Sequence, residues 1–488
     1  MKYFIQHSIL YGLILLYGTI FGQEAQRLPE QVLSFEEYLG YVKQHHPLLK
    51  QANLTLTIGE ANLLKSRGGF DPKVEVDYDR KKFKKTEYYD QLNAAFKIPT
   101  WYGIEFKANF EENTGVFLDP SLTVPEDGLY SAGVSFSLAQ GLLTNDRMAM
   151  LKKAKFFREQ SKADRDLLVN ELIFDATKTY FEWLEATNEQ QIYANFLENA
   201  SIRFEGVKRS IEVGDKAAID ATEARITLQN RQLSLESATL KRRKAALKIS
   251  NFLWINDIPM ELKNNVRPAM PEISVLETSL MLEGITDPNA IAANHPKIRS
   301  LDYKIEGLEV DRNLKMNKLL PKLDLQYNFL SPKYDQISSF NTDNYKAALN
   351  FSLPLFLRKE RGDLRLAKAK LQDVNFERAA TSLTIQNKIS AATAEISSLE
   401  KQNTLIDTIV DDYTALVAAE ERKFSLGESS LFLINSREKS LIEAKIKENQ
   451  LKVKLLTPMQ DSLMPWDCVS MMLWSNTSLN LYGLYMNF

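Results

Sequence analysis

The sequence predicts an α+β chain written twice, in which amphipathic strands run into helices far longer than those of ordinary globular domains. Three observations predict it. Shifted by 249 residues, the chain registers on itself without a gap: His46-Pro47 falls on His295-Pro296, Glu60 on Glu309, Pro72-Lys73 on Pro321-Lys322 and Tyr78 on Tyr327. After each Pro-Lys the residues alternate apolar and polar with period two. Two long stretches, from Asn145 to about Glu212 and from about Leu357 to Leu426, contain neither proline nor any strand pattern.

Composition narrows the class. The 488 residues carry 61 basic and 63 acidic side chains, so the basic balance of a nucleic-acid binder is absent. One cysteine, Cys468, excludes an internal disulfide framework and a cysteine-built zinc site. Four histidines leave little material for a metal centre. There is no phosphate-cradling glycine loop, no nucleophile elbow and no HExxH. The expectation is therefore a protein that is not an enzyme and uses no cofactor or metal.

The elements follow in order. Residues 1–22 have Lys2, an apolar run from Ile9 to Phe21 and then polar Gln23-Glu24, the pattern of a secretory signal peptide. That run is shorter than the roughly 20 residues a helical span needs. An exported chain without helical spans is either soluble or inserted as a β-barrel. In each repeat His-Pro opens a helix of about 25 residues, and Pro-Lys ends it and starts a strand; proline suits a helix's first turn and stops one further on.

The strands alternate as Val74, Val76, Tyr78 and as Leu323, Leu325, Tyr327, Phe329, and each repeat closes on a matching strand, Val134–Leu138 and Leu349–Leu353. One apolar and one polar face suits a strand between lipid and water, and also a soluble sandwich. The first repeat has two further strand-like segments, Tyr88–Ile98 and Trp101–Phe110. They either join the same sheet or form a hairpin beyond it. Tyr89, Trp101, Tyr102, Tyr130, Tyr327 and Tyr345 sit near strand ends, as girdle aromatics do.

In the first long helix Leu167, Phe174 and Phe181 recur at seven, and Leu168, Leu172, Ala176, Tyr180 and Leu184 at four, a coiled-coil-like seam. Gly214 and Gly427 end the two long helices. Return helices follow, Asp215–Ser250 and Glu428 to about Leu456. A helix over 34–66 and the return helix 215–250 together match the length of 145–212 to within a residue, which fits two short helices stacked along one long one. At 1.5 Å per residue the long helix measures about 100 Å, and it is too charged for a bilayer core of about 30 Å. Strands in a membrane would thus be continued by helices in the periplasm.

In this doubled order the sequence resembles the TolC family of outer-membrane efflux proteins, through the paired His-Pro helices, Pro-Lys into strand, the long helices, and the turns Gly214-Asp-Lys-Ala-Ala-Ile-Asp220 and Gly427-Glu-Ser-Ser-Leu431. The resemblance covers about residues 33–456. It implies a homotrimer in which each chain gives four strands to a shared twelve-stranded β-barrel, continued by a long periplasmic α-helical barrel. It also implies a passive conduit that docks on a periplasmic adaptor and an inner-membrane pump, in contact with outer-membrane lipid.

The family closes its periplasmic tip near the helix turns, often with acidic residues. The matching positions are Asp220 and Glu223, at i and i+3 on one helix face. In the second repeat Leu433 and Ser436 stand there, which leaves Asn435 as a polar gate candidate. Adaptor contact is expected at the tips, at Gly214, Asp215, Gly427 and Glu428.

The expected organisation is a signal peptide at 1–22, a first repeat at 23–255, a Pro- and Asn-rich linker at 256–287, a second repeat at 288–456 and an atypical tail at 457–488. His45-His46 and His295 read as helix-start or packing residues, and Arg80–Lys85 as a solvated basic loop. The rival reading is a periplasmic coiled-coil adaptor of an export complex, without a pore.

Overall fold

The computed structural model describes residues 31–272, 294–339 and 341–463. The expected signal peptide, the remainder of the linker and residues 464–488 lie outside these. The chain forms two compact units, one from the described parts of 1–46, 175–279 and 397–457, the other from those of 47–174, 280–396 and 458–488.

The first unit is helical. Short strand β1 (Gln31–Leu33) leads into α1 (Phe35–His45), whose N-cap Ser34 accepts a hydrogen bond from the Glu37 amide at 3.1 Å. The unit contains the C-terminal part of α3 (Asp146–Glu212), all of α4 (Ala218–Ser250), and the packed length of α6 (Arg358–Ser425) and α7 (Leu431–Leu463) that falls in it. Its core at one level is aromatic. Phe35 and Tyr38 of α1 meet Tyr180 and Phe181 of α3, with ring centroids 5.3–5.6 Å apart, and Trp183 is fully buried beside them. The Tyr180 hydroxyl donates to the Leu33 carbonyl at 2.9 Å and accepts from the Ala269 amide at 3.0 Å. Burial pushes both phenols, Tyr38 and Tyr180, above their ordinary value. At another level Phe196, Leu399, Ile406, Val410, Val417, Leu441 and Leu451 form one apolar cluster between α3, α6 and α7.

The expected single helix over 34–66 is two helices. α1 ends at His46, which is extended (φ −67°, ψ 131°), and α2 (Pro47–Arg67) begins at the proline. A proline disfavours helical backbone in the residue before it. His46 is buried against Phe252 and Trp254. In the second unit His295 caps α5 (Pro296–Asn317), its Nδ1 accepting from the Lys297 amide at 3.0 Å.

The linker is partly folded. β6 (Trp254–Ile255) and β7 (Ile258–Pro259) form a hairpin over Asn256 and Asp257, both at positive φ, and β8 (Val266–Pro268) pairs parallel with β1. The tail departs as well, because α7 continues to Leu463, seven residues past the point where the charge pattern fades.

The second unit holds a six-stranded, wholly antiparallel sheet in the order β10-β9-β5-β4-β3-β2. Its strands are β2 (Lys73–Phe83), β3 (Thr86–Pro99), β4 (Ile104–Thr114), β5 (Leu129–Ser137), β9 (Lys322–Ser331) and β10 (Tyr345–Ser352). The two extra segments of the first repeat are therefore β3 and β4, inserted between β2 and β5 within the same sheet. The four strands per chain implied by the family resemblance become six. Basic run Arg80–Lys85 is not a free loop. It forms the end of β2 and the two-residue turn to β3, in which Lys84 and Lys85 take positive φ. Gly133 of β5 lets that strand approach β9, since a Cβ there would lie 2.2 Å from the Tyr327 carbonyl oxygen and from Asn328 Oδ1.

Candidate functional site

The helix tips of the first unit are built by backbone geometry. α3 ends in a Schellman-type turn, with the Asp215 amide donating to the Ser210 carbonyl at 2.8 Å and Gly214 at φ +85°. α6 ends the same way, with Glu428 donating to Lys423 at 2.9 Å and Gly427 at φ +81°. The two turns are clamped side by side. Val207, Ala224 and Leu431 form a buried apolar knot with Phe204, Ile211 and Phe424 packed on it, and the Lys216 ammonium lies 3.7 Å from the centre of the Phe424 ring. Gly214, Asp215, Gly427 and Glu428 are all exposed.

Above the knot the four helices share a polar cluster. Glu438 of α7, 1 % exposed, accepts from Arg203 of α3 at 3.1 Å and from Arg231 of α4 at 3.4 Å. Arg203 also reaches Glu421 of α6 at 3.2 Å and the Asn435 side-chain oxygen at 3.5 Å. The Asn435 amide in turn donates to Glu223 Oε1 of α4 at 3.3 Å. Two of the three gate residues expected from the sequence, Glu223 and Asn435, are thus brought together. Asp220 is not in the cluster, and its carboxylate makes no hydrogen bond or ion pair among the described residues. Sequence reasoning missed Arg203, Arg231, Glu421 and Glu438. The one available signal was that Glu438 stands three residues after Asn435, on the same helix face.

The sheet of the second unit has one apolar and one polar face across all six strands. The cross-strand row Val74–Phe96–Ala108–Ala132–Phe329–Tyr345 is apolar from edge to edge, as is Ile104–Phe136–Leu325–Leu349 within its four strands. The opposite face carries Glu75, Lys97, Lys107, Glu105, Ser135, Gln326 and Asn350. Lys97 pairs with Glu75, and Lys107 with Glu105 at 3.4 Å. Strands of 8–14 residues match the 9–11 that cross a bilayer at a tilt, and the apolar face stands open, with Val74 72 % and Phe351 65 % exposed. Among the described residues no helix is long and apolar enough to cross a membrane, and no group of His, Cys, Asp and Glu could hold a metal ion.

Residues 288–457 match the outer membrane efflux protein family. That match spans about a third of the chain, and the fold as a whole is that of the TolC-like outer-membrane channels. Solved structures share its fold at low identity. The Campylobacter jejuni CmeC outer membrane channel superposes with a TM-score of 0.63 at 15 % identity, over 88 % of this chain and 84 % of its own. The open state of the Neisseria gonorrhoeae MtrE outer membrane channel gives 0.63 at 13 %, over 88 % of each chain. The Vibrio cholerae outer membrane protein VceC gives 0.62 at 11 %, over 88 % and 95 %. By sequence alone, no match to a curated protein was found. The family match covers the repeat whose strand pair is uninterrupted; the first repeat carries the inserted β3–β4 hairpin.

Proposed function

We infer that three copies of this chain enclose a water-filled passage, a β-barrel continued by a periplasmic α-helical barrel, which serves as the exit duct of a tripartite efflux or type I secretion system. An inner-membrane pump supplies the cargo, small molecules or proteins, and a periplasmic adaptor grips the helix tips around Gly214, Asp215, Gly427 and Glu428. The two repeats, 23–255 and 288–456, each supply strands and a long helical hairpin, with 256–287 between them.

The observation that carries this reading is the sheet that is apolar across one whole face. It suits lipid outside and water inside, and an adaptor without a pore has no use for it. The tips supply the gate. Asp220, whose carboxylate has no partner among the described residues, would form a threefold acidic ring that favours cations and keeps copies apart by repulsion. Glu223 and Asn435 act differently, tying the first helical hairpin to the second, so that opening separates that bond.

Conductance in a planar bilayer tests the assignment. Asp220→Asn is expected to reduce cation preference, and Glu223→Gln to raise the fraction of time spent open. If both variants conduct as wild type does, the gate assignment fails while the channel stands; a wild type that forms no pore defeats the channel reading itself.

A further inference from the structure

The sheet has two unguarded edges. Every residue of β2 and of β10 is exposed, on both faces, whereas the four strands between them are mostly half-buried. Among the described residues neither outer edge is paired. β10 lacks the protections that edges usually have, holding a single charge, Lys346, and no proline; β2 has no proline either, its irregularity lies at its far end, at Lys81/Lys82, and over Lys73–Asp79 its charges alternate with Val74, Val76 and Tyr78 and fall on the polar face alone. An open edge cannot persist in lipid, where each backbone amide and carbonyl needs a partner.

We propose that β2 of one copy pairs antiparallel with β10 of the next, and that three copies close a barrel of eighteen strands, six from each. The count of three rests on the trimeric reading above; the six and the edge pairing rest on the sheet.

Parity supports the pairing. Successive strands alternate in direction, and β2 and β10 are five steps apart, so they run in opposite senses. A neighbour related by rotation therefore offers an edge of the right polarity for an antiparallel ladder. Face matching supports it as well. With Val76 opposite Leu349, Val74 meets Phe351 and Tyr78 meets Ala347, so the apolar row continues unbroken from copy to copy. The same register sets Asp79 opposite Lys346 on the polar face, a favourable cross-strand charge pair.

The inserted β3–β4 hairpin thus widens the pore instead of capping it. With strands about 4.8 Å apart and tilted by about 40°, eighteen strands give a backbone diameter of about 36 Å, against about 24 Å for twelve. Such a width suits bulky or partly structured cargo at the outer end, leaving restriction to the helix tips.

The test uses the full chain in detergent, in a Cys468→Ser background. Val74→Cys, Val76→Cys and Tyr78→Cys are each combined with Leu349→Cys and oxidised. At least one pair is expected to give covalent dimers and trimers on unreduced gels. The control pair, Val76→Cys with Val134→Cys, is expected to give no link within the chain, since β3 and β4 separate those strands. Native mass counts the copies and electron micrographs measure the barrel. Three copies, a β2–β10 link between chains and a diameter near 36 Å support the proposal. Three copies with a β2–β5 link inside the chain, or a diameter near 24 Å, overturn it and spare the trimer. Any other copy number overturns the total of eighteen through the trimeric reading, and the cross-link pattern then separates the two failures.

Discussion

Replacing Glu438 by glutamine probes the tip cluster most directly. The substitution keeps the shape of the side chain and removes one charge from a site that is 1 % exposed. Two guanidinium groups lose their anion. Arg203 and Arg231 each have about an eighth of their side chains exposed, so water does little to replace it. Breaking a buried ion pair from one side costs about 3–5 kcal/mol. Arg203 retains Glu421, which is half exposed, so the lower end applies, about 3 kcal/mol. That corresponds to a shift of about 150-fold in a local opening equilibrium. Hydrogen–deuterium exchange in detergent reads it, with amides of 200–212 and 431–442 expected to exchange about 100-fold faster while those of the β-sheet keep their wild-type rates. The triple variant Arg203→Met/Arg231→Met/Glu438→Leu, which removes both guanidinium groups along with their anion, is expected to recover most of the protection, because apolar residues of similar volume carry no desolvation penalty. A Glu438→Gln protein whose tip amides exchange within threefold of wild type, or a triple variant as loose as Glu438→Gln itself, would refute the reasoning.

Three further outcomes follow from the geometry. His295 is buried beside Lys388 and Lys297, and burial foremost pushes its pKa down to about 4; its stabilising contribution is complete above pH 6.5 and is lost as pH falls from 6.5 toward 4, by up to about 3 kcal/mol. Urea midpoints of the helical signal between pH 7.5 and 4.5 should show this slope in wild type and not in His295→Asn, which keeps a capping oxygen; equal slopes would contradict it. Tyr180→Phe removes the hydroxyl that bridges Leu33 and Ala269 and should cost about 1–2 kcal/mol, seen as a lower midpoint, with an unchanged midpoint arguing against the bridge. Gly133→Val places atoms where the β9 backbone already lies, so the heat-sensitive folded band on gels should vanish while Ala132→Val, on the apolar face, retains it.

Much of the fold was legible because period and proline are local signals. Pro72-Lys73 and Pro321-Lys322 placed the starts of β2 and β9 to within a residue, and the glycines at 214 and 427 placed both tips. Alternation in Tyr88–Ile98 and Trp101–Phe110 identified strands but not their neighbours, since a period of two reports which face a residue takes and says nothing about the strand beside it. The break at His46 was written in the His-Pro dipeptide, yet the apolar pattern runs through it. The Arg203–Glu438 cluster was invisible because its members lie more than 200 residues apart, and single charges on a long helix read as solvated. Only contact across helices turns them into a site.

Gly214 and Gly427 have nothing within 4 Å of where a side chain would begin. They are required for handedness alone, and crowding imposes nothing on them. A mirror-image alanine would serve as well, whereas any ordinary residue would strain the turn while fitting the space. The bend of each hairpin is thereby separated from the chemistry of its surface. Selection can rewrite the exposed residues around both bends to suit a new docking mate, and the rods will still fold back at the same point.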